Sequence, residues 1–402
     1  MDNVTHAFVG AAIGECVVPK GATARTRALL MGVGIVAANA PDIDLVYSNI
    51  IEEPLGYLLH HRGHSHTWPG LAALGLLIWG GLRLFPSTRE ETRGSRSRWL
   101  WLLAAALASH LVMDTANGYG AHLFYPLSSR WVYGDSVFVL EPWLWAILGA
   151  TLALNAGRFW RVTIALVTLS LIGTLAYMAL LPTVAAGLIL VVVTPAAVAV
   201  RAWDRKQRAA FVLVATAAIF LTMSGVSRAA KAEARRTVGA LGAGDVIDMV
   251  ADANPGTPWC WAVLTLERAT RDPHGTLVAR RGTVSLLPSM WSASTCASAR
   301  LSASRWSTEV PGTDVMMWHR VWTIDLEPMR ALYAGNCRVR AWLQFGRVPY
   351  LDNGAIVDLR FENPIGQNFT PMTIDAGQRD CPSYLTDWVV PRADVLGQPS
   401  ND

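Results

Sequence analysis

The chain has 402 residues, 52% of them hydrophobic and 16% charged, and this composition disfavours an ordinary soluble enzyme. Its formal net charge is only +4, and its Arg residues fall in short loops rather than in one patch interleaved with aromatic residues, so nucleic-acid binding is not expected. The N-terminal sequence has no basic segment before its first apolar stretch, so we do not expect a removable secretory peptide.

Apolar segments follow one another through the first 227 residues and predict an all-α, polytopic membrane domain of about eight helices. The stretch from Val162 to Val200 contains no Asp, Glu, Lys or Arg, and it is longer than the roughly 20 residues that one helix needs to cross a bilayer. Pro182 near its middle predicts two spans joined by a tight turn. The eight segments lie at about residues 4–18, 28–40, 68–85, 99–114, 139–157, 162–181, 183–200 and 209–227.

Every second loop between these segments is basic. The basic loops contain residues 20–27, 89–98, 158–161 and 201–208, and by the positive-inside rule they face the cytoplasm. The N-terminus, residues 41–67, residues 115–138 and everything after about residue 228 then lie on the opposite face. We therefore predict a multi-pass protein of the cell (inner) membrane, embedded in the lipid bilayer, whose polar motifs and C-terminal domain are extracytoplasmic.

The composition changes after Ser227, where a polar, Ala- and Arg-rich connector over residues 228–244 leads into a stretch rich in turn residues. Strand-like segments separated by Gly, Pro, Asn and Asp predict a small β-rich soluble domain over residues 245–402, after the membrane domain of residues 1–227. These segments are Trp259–Leu266, Gly282–Leu287, Val315–Leu326, Val339–Phe345 and Ala355–Phe361.

Four of the five cysteines lie in this C-terminal domain, whereas Cys16 lies near the predicted cytoplasmic end of the first helix. An even set in an extracytoplasmic domain fits two disulfides in an oxidising compartment, and the sequence leaves three pairings open. Buried free thiols are an equally good interpretation, because Cys is often a small core residue. The four are Cys260, Cys296, Cys337 and Cys381.

Seven of the nine histidines fall in the first third of the chain, interleaved with aspartates among the apolar segments. Imidazole and carboxylate together suit zinc, manganese or iron. Ionisable groups beside long apolar runs are costly unless they bind an ion, pair or line a wet cavity. This pattern predicts a metal site held by membrane helices. The two remaining histidines, His274 and His319, have no nearby ligand partners in the sequence and are interpreted as structural.

Two polar motifs follow the second apolar segment. In Asn39-Ala-Pro-Asp-Ile-Asp44, Pro41 ends a helix and leaves two carboxylates at the membrane edge. Their spacing favours one ligand plus one orienting or general-base carboxylate, although such a pair is usually a turn with solvated acids. His60-His-Arg-Gly-His-Ser-His66 packs four imidazoles around Arg62, and its alternative interpretation is a His-rich surface tract. Arg62 is suited to bind an anion bidentately or to orient an Asp ligand.

A third motif is the pair His110 and Asp114, four residues apart in a helical segment and therefore on one face. An ion pair at a helix end is the ordinary interpretation, but their position on the predicted His-rich side favours metal binding. His6 at the start of the first helix lies on the same side, where a lone histidine is most often an interfacial polar residue. His122 is a neighbour without an assigned role.

Together the motifs resemble those of the YdjM family of membrane-bound, metal-dependent hydrolases of the inner membrane. The resemblance covers about the first 145 residues. The family pattern His-Arg-Gly-x-Ser/Thr-His selects His61 and His66, leaving His60 and His64 at variable positions. It implies hydrolase chemistry without naming a substrate. The matching blocks are Thr5-His6, Pro41-Asp-Ile-Asp44, His61-Arg-Gly-His-Ser-His-Thr67, and His110-x-x-x-Asp114 with Tyr119-Gly120.

A more distant similarity, to zinc-dependent phospholipase C and zinc nucleases, rests on an early His, an Asp, further His residues and a His-x-x-x-Asp on helices. It favours a phosphoesterase with one or two divalent ions, zinc before manganese or iron. We therefore predict hydrolysis of an ester or phosphoester of a lipid or envelope intermediate by a metal-activated water. Asp44 is the predicted general base or orienting group, and Arg62 the anion clamp. The predicted metal ligands are His6, Asp42, His61, His66, His110 and Asp114.

Two other functions use the same residues. A transporter would carry a cation or proton past the His and Asp side chains. The sequence lacks obvious repeated hydropathy halves, and its polar residues concentrate at one end of the helices, both of which disfavour transport. A structural or sensory protein would use the metal to hold helices together while the β-rich domain binds a partner.

Overall fold

The first 240 residues form eleven α-helices in the computed structural model, which describes residues 1–241, 244–269, 275–301, 312–362, 368–375, 381, 386 and 388–396. Short 3-10 turns, Ala40–Ile43 and Val200–Ala202, follow α2 and α10. The helices are α1 (Asn3–Cys16), α2 (Ala24–Asn39), α3 (Asp44–Ser48), α4 (Leu55–His60), α5 (Trp68–Leu84), α6 (Pro86–Arg93), α7 (Arg96–Thr115), α8 (Pro142–Asn155), α9 (Arg158–Tyr177), α10 (Thr183–Ala199) and α11 (Arg205–Ala240).

Among the described residues, four helical segments are long and apolar enough to cross a membrane, and a fifth is added if α5 and α6, bent by 109°, form one span. The predicted helical membrane region is therefore present, but its count of about eight helices is not confirmed. One reason is length: α1 and α8 have 14 residues each, and about 1.5 Å per residue leaves both short of a roughly 30 Å hydrocarbon core. The four segments are Ala24–Ser48, Arg158–Tyr177, Thr183–Ala202 and Arg205–Ala240.

Helices α1 and α2 pack so closely that two glycines are required between them. A Cβ atom on Gly10 would lie 2.3 Å from the carbonyl oxygen of Gly34, and one on Gly34 would lie 2.2 Å from that of Gly10. The side chains of Asp2 and Thr23 cap the two helices by accepting from the backbone N–H groups of Thr5 and Thr26. This close approach brings the start of α1 beside the end of α2, where two of the predicted motifs lie.

The C-terminal part is a β-sheet domain. Its main sheet is an antiparallel meander of β1 (Val246–Asn254), β2 (Thr257–Arg268), β3 (Thr276–Ser285) and β4 (Met316–Asp325). The second sheet contains β5 (Pro349–Asp352), β6 (Ala355–Asp358) and β7 (Met372–Thr373). The described part of the domain also contains four helices: α12 (Ala293–Leu301), α13 (Leu326–Gly335), α14 (Cys337–Leu343) and α15 (Ala393–Leu396).

One segment differs from its predicted structure, and the predicted connector is largely helical. Val339–Phe345, predicted as a strand, is largely helical, because the Asn336 side chain caps α14 by accepting from the backbone N–H groups of Arg338 and Val339. Helix α11 continues to Ala240, so most of the segment predicted as a connector is helical. Its inner face there is buried through Ala230, Ala234 and Val238.

The four cysteines of the C-terminal domain form two disulfides, Cys260–Cys296 and Cys337–Cys381, which selects one of the three pairings that the sequence left open. Cys16 is a free thiol. His319 is buried beside the Thr283 hydroxyl, 2.8 Å from its Nε2 atom, whereas His274 lies outside the described residues.

The C-terminal domain packs against the membrane domain at the ends of its helices. One hydrophobic cluster joins Leu55, Leu58 and Leu59 of α4 to the C-terminal core, which includes Trp342 and Phe345. The α7–α8 loop, residues 116–141, lies between the two domains, and its Trp131 indole donates to the carbonyl oxygen of Gln344. The predicted motifs therefore lie next to the interface with the C-terminal domain.

Candidate metal centre

The polar motifs meet because each lies at an end of a helix. His6 is in the first turn of α1, and Asp42 is in the 3-10 turn after α2. His66 precedes α5, while His110 and Asp114 occupy the last turns of α7. The side chains of His6, His66, His110 and Asp114 are fully buried, and that of Asp42 is 8% exposed.

Four side chains form the centre of this arrangement, which we call the inner group: Asp42, His66, His110 and Asp114. Each offers one donor atom, and these atoms lie within 4.8 Å of one another. The Nε2 atoms of His66 and His110 are 3.0 Å apart, and His66 Nε2 lies 3.2 Å from Asp114 Oδ2. Both Nε2 atoms lie 3.5 Å from Asp42 Oδ1. Two imidazoles and two carboxylates facing one point can hold a divalent transition-metal ion.

His6 adds a fifth donor at the edge of the inner group. Its Nε2 atom lies 3.0 Å from Asp114 Oδ1, and its ring stacks on that of His110 with centroids 3.9 Å apart. The α-ammonium group of Met1 contacts the same carboxylate oxygen, so this position already attracts a cation. The other oxygen of this carboxylate, Asp114 Oδ2, lies 3.0 Å from Arg62 Nε and 3.2 Å from His66 Nε2.

The hydrogen bonds on the far side of the two central imidazoles orient them for metal binding. His110 Nδ1 donates to the carbonyl oxygen of Ala38 at 2.6 Å. His66 Nδ1 lies 3.1 Å from Asp44 Oδ2 and 3.0 Å from the Ser65 hydroxyl. With Nδ1 as the donor in this way, both Nε2 atoms face the inner group, which is the arrangement typical of metal-bound histidine.

The electrostatics also favour a cation. Asp42, Asp44 and Asp114 bring three negative charges, against the positive charges of Arg62 and of the Met1 ammonium group. Burial lowers the pKa of His66, but its hydrogen bonds to the three carboxylates outweigh burial and raise that pKa to about 10. A divalent ion would meet the same demand for positive charge.

Asp44 and His61 lie beside the inner group rather than in it. Asp44 accepts from His61 Nδ1 at 3.0 Å, from the backbone N–H of Arg62 at 2.9 Å and from the Ser65 hydroxyl at 2.5 Å. Asp42, Asp44 and His61 form a second group with donor atoms within 4.8 Å, so Asp42 is shared by both groups. Of the six predicted ligands, the structure thus brings five together and sets His61 apart on Asp44.

Arg62 has a different environment from that of the predicted anion clamp. Its backbone has a positive φ of 61°, which turns the side chain inward. Nη1 donates to the carbonyl oxygen of Asp114 at 3.1 Å and to Asn117 Oδ1 at 3.0 Å, while Nε lies 3.0 Å from Asp114 Oδ2. The guanidinium group also lies over the Tyr119 ring. These contacts match the other role considered from the sequence, that of orienting an Asp ligand.

Three residues near the centre were assigned no role from the sequence. Ser65 bonds both Asp44 and His66, Asn117 holds Arg62, and Tyr119 stacks on it. Ser65 belongs to the motif, and Asn117-Gly-Tyr-Gly120 follows it closely in the α7–α8 loop, so their proximity to the motifs was the available signal. The neighbours His64 and His122 instead pack against Trp388 of the C-terminal domain.

Comparison with protein families places the first part of the chain. Residues 1–231, more than half of the chain, match a family model described as YdjM inner membrane protein. No curated protein and no solved structure matches the chain at a significant level.

Proposed function

The chain belongs to the YdjM family of inner membrane proteins, and we propose that it is a membrane-embedded hydrolase that depends on a divalent metal. Its substrate is an ester or phosphoester of a lipid or envelope intermediate. The observation that carries the proposal is the inner group, where two Nε2 atoms and two carboxylates converge in a buried site. A site used only for ion pairing would not need both imidazoles turned toward each other at 3.0 Å.

The residues that would hold the metal are Asp42, His66, His110 and Asp114, with His6 as a fifth donor. A bound divalent ion supplies Lewis acidity and lowers the pKa of water to near neutrality. Zinc is the first candidate, with manganese and iron as alternatives, since all three accept imidazole and carboxylate. The second group, which shares Asp42, gives room for either one ion or two.

The His61–Asp44 pair is suited to move a proton beside this centre. Asp44 accepts a hydrogen bond from Nδ1–H of His61 and so fixes the tautomer of the ring. His61 Nε2 is then free to take a proton from water and return it to a leaving group. Asp44 thereby acts through His61 as an orienting carboxylate. Arg62 keeps Asp114 in position, as its bonds to Asp114 and Asn117 indicate.

The surroundings of Asp42 favour a lipid-like substrate. Asp42 is the most exposed member of the inner group, and it lies within the candidate span Ala24–Ser48. Its neighbours Ile43 and Val46 are 57% and 66% exposed, which suits contact with acyl chains. A substrate with an apolar tail could then stay in the bilayer while its polar ester reaches the centre.

The extracytoplasmic side is the proposed location of the centre and of the C-terminal domain. Two disulfides in the C-terminal domain fit an oxidising compartment. The α7–α8 loop touches both the centre and this domain, so the two lie on one face. The basic loops, at residues 89–98 and 201–208 among others, would face the cytoplasm.

Metal analysis and hydrolysis assays on the purified full-length protein test the proposal. The probes are bis(p-nitrophenyl) phosphate, p-nitrophenyl butyrate and vesicles of phosphatidylethanolamine with phosphatidylglycerol. We expect His66→Ala to lose both metal and hydrolysis. His64→Ala is the matched control, because His64 lies two residues away, is exposed apart from its contact with Trp388 and is outside the inner group; it should keep both.

Wild-type protein without a bound divalent metal would contradict the proposal. So would bound metal without hydrolysis of any probe. In that second case, cation flux into proteoliposomes that requires His66 and Asp42 would indicate a transporter instead.

A further inference from the structure

The C-terminal domain lies beyond the residues matched by the family, yet two of its arginines reach the α7–α8 loop next to the metal centre. Arg347 and Arg360 are both buried or nearly so and are separated from that loop by more than 200 residues of chain. Such long-range, charge-assisted contacts in a dry interior are costly unless they are well paired. Their pairing therefore indicates a specific junction between the two domains.

Arg347 binds the C-terminal part of the α7–α8 loop, at Asp135. Its Nη1 donates to both carboxylate oxygens of Asp135 at 3.0 Å, and its Nε and Nη2 donate to Asp248 of β1 at 2.8 and 2.9 Å. Asp135 also accepts from Lys231 of α11 at 2.7 Å. Asp135 has a positive φ of 47°, a conformation that needs such support from its surroundings.

Arg360 binds the N-terminal part of the same loop, at Gly118. Its Nη1 donates to the carbonyl oxygen of Gly118 at 2.9 Å, while Nε donates to Asp358 and Nη2 to the carbonyl oxygen of Phe345. All three guanidinium nitrogens are thus hydrogen-bonded, and the side chain links the C-terminal domain to the backbone next to Asn117.

Asn117 passes this support to the metal centre. Its backbone carbonyl oxygen accepts from the N–H of Asp135 at 3.4 Å, so the end held by Arg347 is bonded to it. Its side-chain oxygen accepts from Arg62 Nη1, and Arg62 in turn bonds the backbone of Asp114 and faces the Asp114 carboxylate. The chain of contacts runs from the C-terminal arginines through Asn117 and Arg62 to a residue of the inner group.

We propose that the C-terminal domain is a positioning part of the metal centre: Arg347 and Arg360 fix the α7–α8 loop so that Asn117 holds Arg62 against Asp114, and the affinity for metal depends on this link. The inference rests on the metal centre proposed above. Neither arginine touches a donor atom of the inner group, so both are positioning residues. Partners that orient metal ligands typically contribute about 10- to 100-fold to metal affinity.

Titration of Mn²⁺ into the full-length protein, followed by electron paramagnetic resonance, tests the link without relying on activity. We expect Arg347→Gln to weaken Mn²⁺ binding by about 10- to 100-fold and to change the spectrum of the bound ion, because Asp114 is less well held. Arg280→Gln is the matched control. Arg280 also pairs with a buried carboxylate, Glu267 at 3.0 Å, but within the main sheet and away from the loop. It should lower thermal stability while leaving the Mn²⁺ affinity and spectrum unchanged.

A second variant covers the case in which Arg347→Gln does not fold. Asn117→Ala removes the oxygen that holds Arg62 and leaves the contacts between the domains in place, and it should weaken Mn²⁺ binding over the same range. Wild-type affinity in Asn117→Ala, or in a folded Arg347→Gln, would overturn the inference while leaving the proposed metal centre intact. Equal weakening by Arg280→Gln would overturn it too. If the wild-type protein itself binds no divalent metal, the proposed function fails and this inference with it.

Discussion

Two buried clusters of charged side chains lie on either side of the α7–α8 loop, and they differ in charge balance. The His/Asp cluster sets three carboxylates, Asp42, Asp44 and Asp114, against the single guanidinium of Arg62 and the ammonium group of Met1. The interdomain cluster sets three carboxylates against three cations, and Arg392 at its edge, 3.8 Å from Asp248, is offset by Asp394, so the cluster is balanced. Its members are Asp135, Lys231, Asp248, Arg347, Asp358 and Arg360.

The difference separates a binding site from a structural junction. A balanced cluster is complete within the protein and can only hold two parts of the fold together. A cluster with excess carboxylate attracts a further positive charge, either a proton on His66 or a metal ion in its place. Two buried histidines show the effect of the nearby carboxylates. In the His/Asp cluster the carboxylates raise the pKa of His66 to about 10. In the C-terminal domain burial, with a smaller effect of Arg281, lowers the pKa of His319 to about 4.

The largest effect is expected from removing one carboxylate of the His/Asp cluster. Asp114→Asn keeps the shape of the side chain but removes a charge that faces His6, His66 and Arg62. We expect metal affinity to fall by about 1000-fold or more, roughly 4 kcal/mol. Metal content and Zn²⁺ titration measure it. Asp204→Asn is the control, since Asp204 caps α11 far from the centre and Asn caps equally well. Undiminished metal content in Asp114→Asn would remove the basis for the contrast.

Breaking the balanced cluster should instead cost stability. Asp135→Ala leaves Arg347 and Lys231 without one buried partner, and we expect a loss of about 3–5 kcal/mol in the free energy of unfolding. Denaturant unfolding in detergent measures it. The exposed pair on α11 supplies the comparison, because Glu233→Ala should cost less than about 1 kcal/mol. Similar losses for the two variants would mean that the interdomain cluster is solvated.

The contrast between the histidines predicts a pH dependence in the C-terminal domain. The folded-state pKa of His319 is about 4 and its unfolded value is 6.5, so its contribution to stability is complete above pH 6.5 and is lost as the pH falls through 4. We expect a loss of about 2–3 kcal/mol over this window. Thermal unfolding from pH 7 to pH 4 measures it. His319→Gln cannot titrate and should show a flatter profile; an equally steep profile would assign the acid sensitivity to other groups.

Local patterns were enough to predict much of the centre. The four-residue spacing put His110 and Asp114 on one face of α7, and Pro41 marked the end of α2 where Asp42 lies. His66 also joins the inner group. It belongs to the His-rich motif and lies in the loop just before α5. In each case the position depends on a helix end, which the sequence marks directly.

The remaining features depend on contacts between distant residues. His61 turns to Asp44 because it leaves α4 in an extended conformation, and no spacing rule gives that direction. The bond from Arg347 to Asp135 joins residues 212 positions apart. The segment Val339–Phe345 is too short for its pattern to distinguish strand from helix, and the Asn336 cap determines the outcome.

The smallest effect is expected from Asp44→Asn, which distinguishes two roles that Asp44 could have within the His/Asp cluster. Asp44 is not in the inner group, but it bonds Nδ1 of both His61 and His66. If it only orients them, Asn should weaken metal binding by about 10- to 100-fold, roughly 1.4–2.7 kcal/mol, without changing the number of ions. If instead Asp44 holds a second ion together with Asp42 and His61, the variant should bind one ion where the wild-type protein binds two. Stoichiometry from metal analysis separates the two outcomes. A stoichiometry of one in both proteins, with weaker binding in the variant, would fix Asp44 as the orienting carboxylate; unchanged affinity would exclude it from both roles.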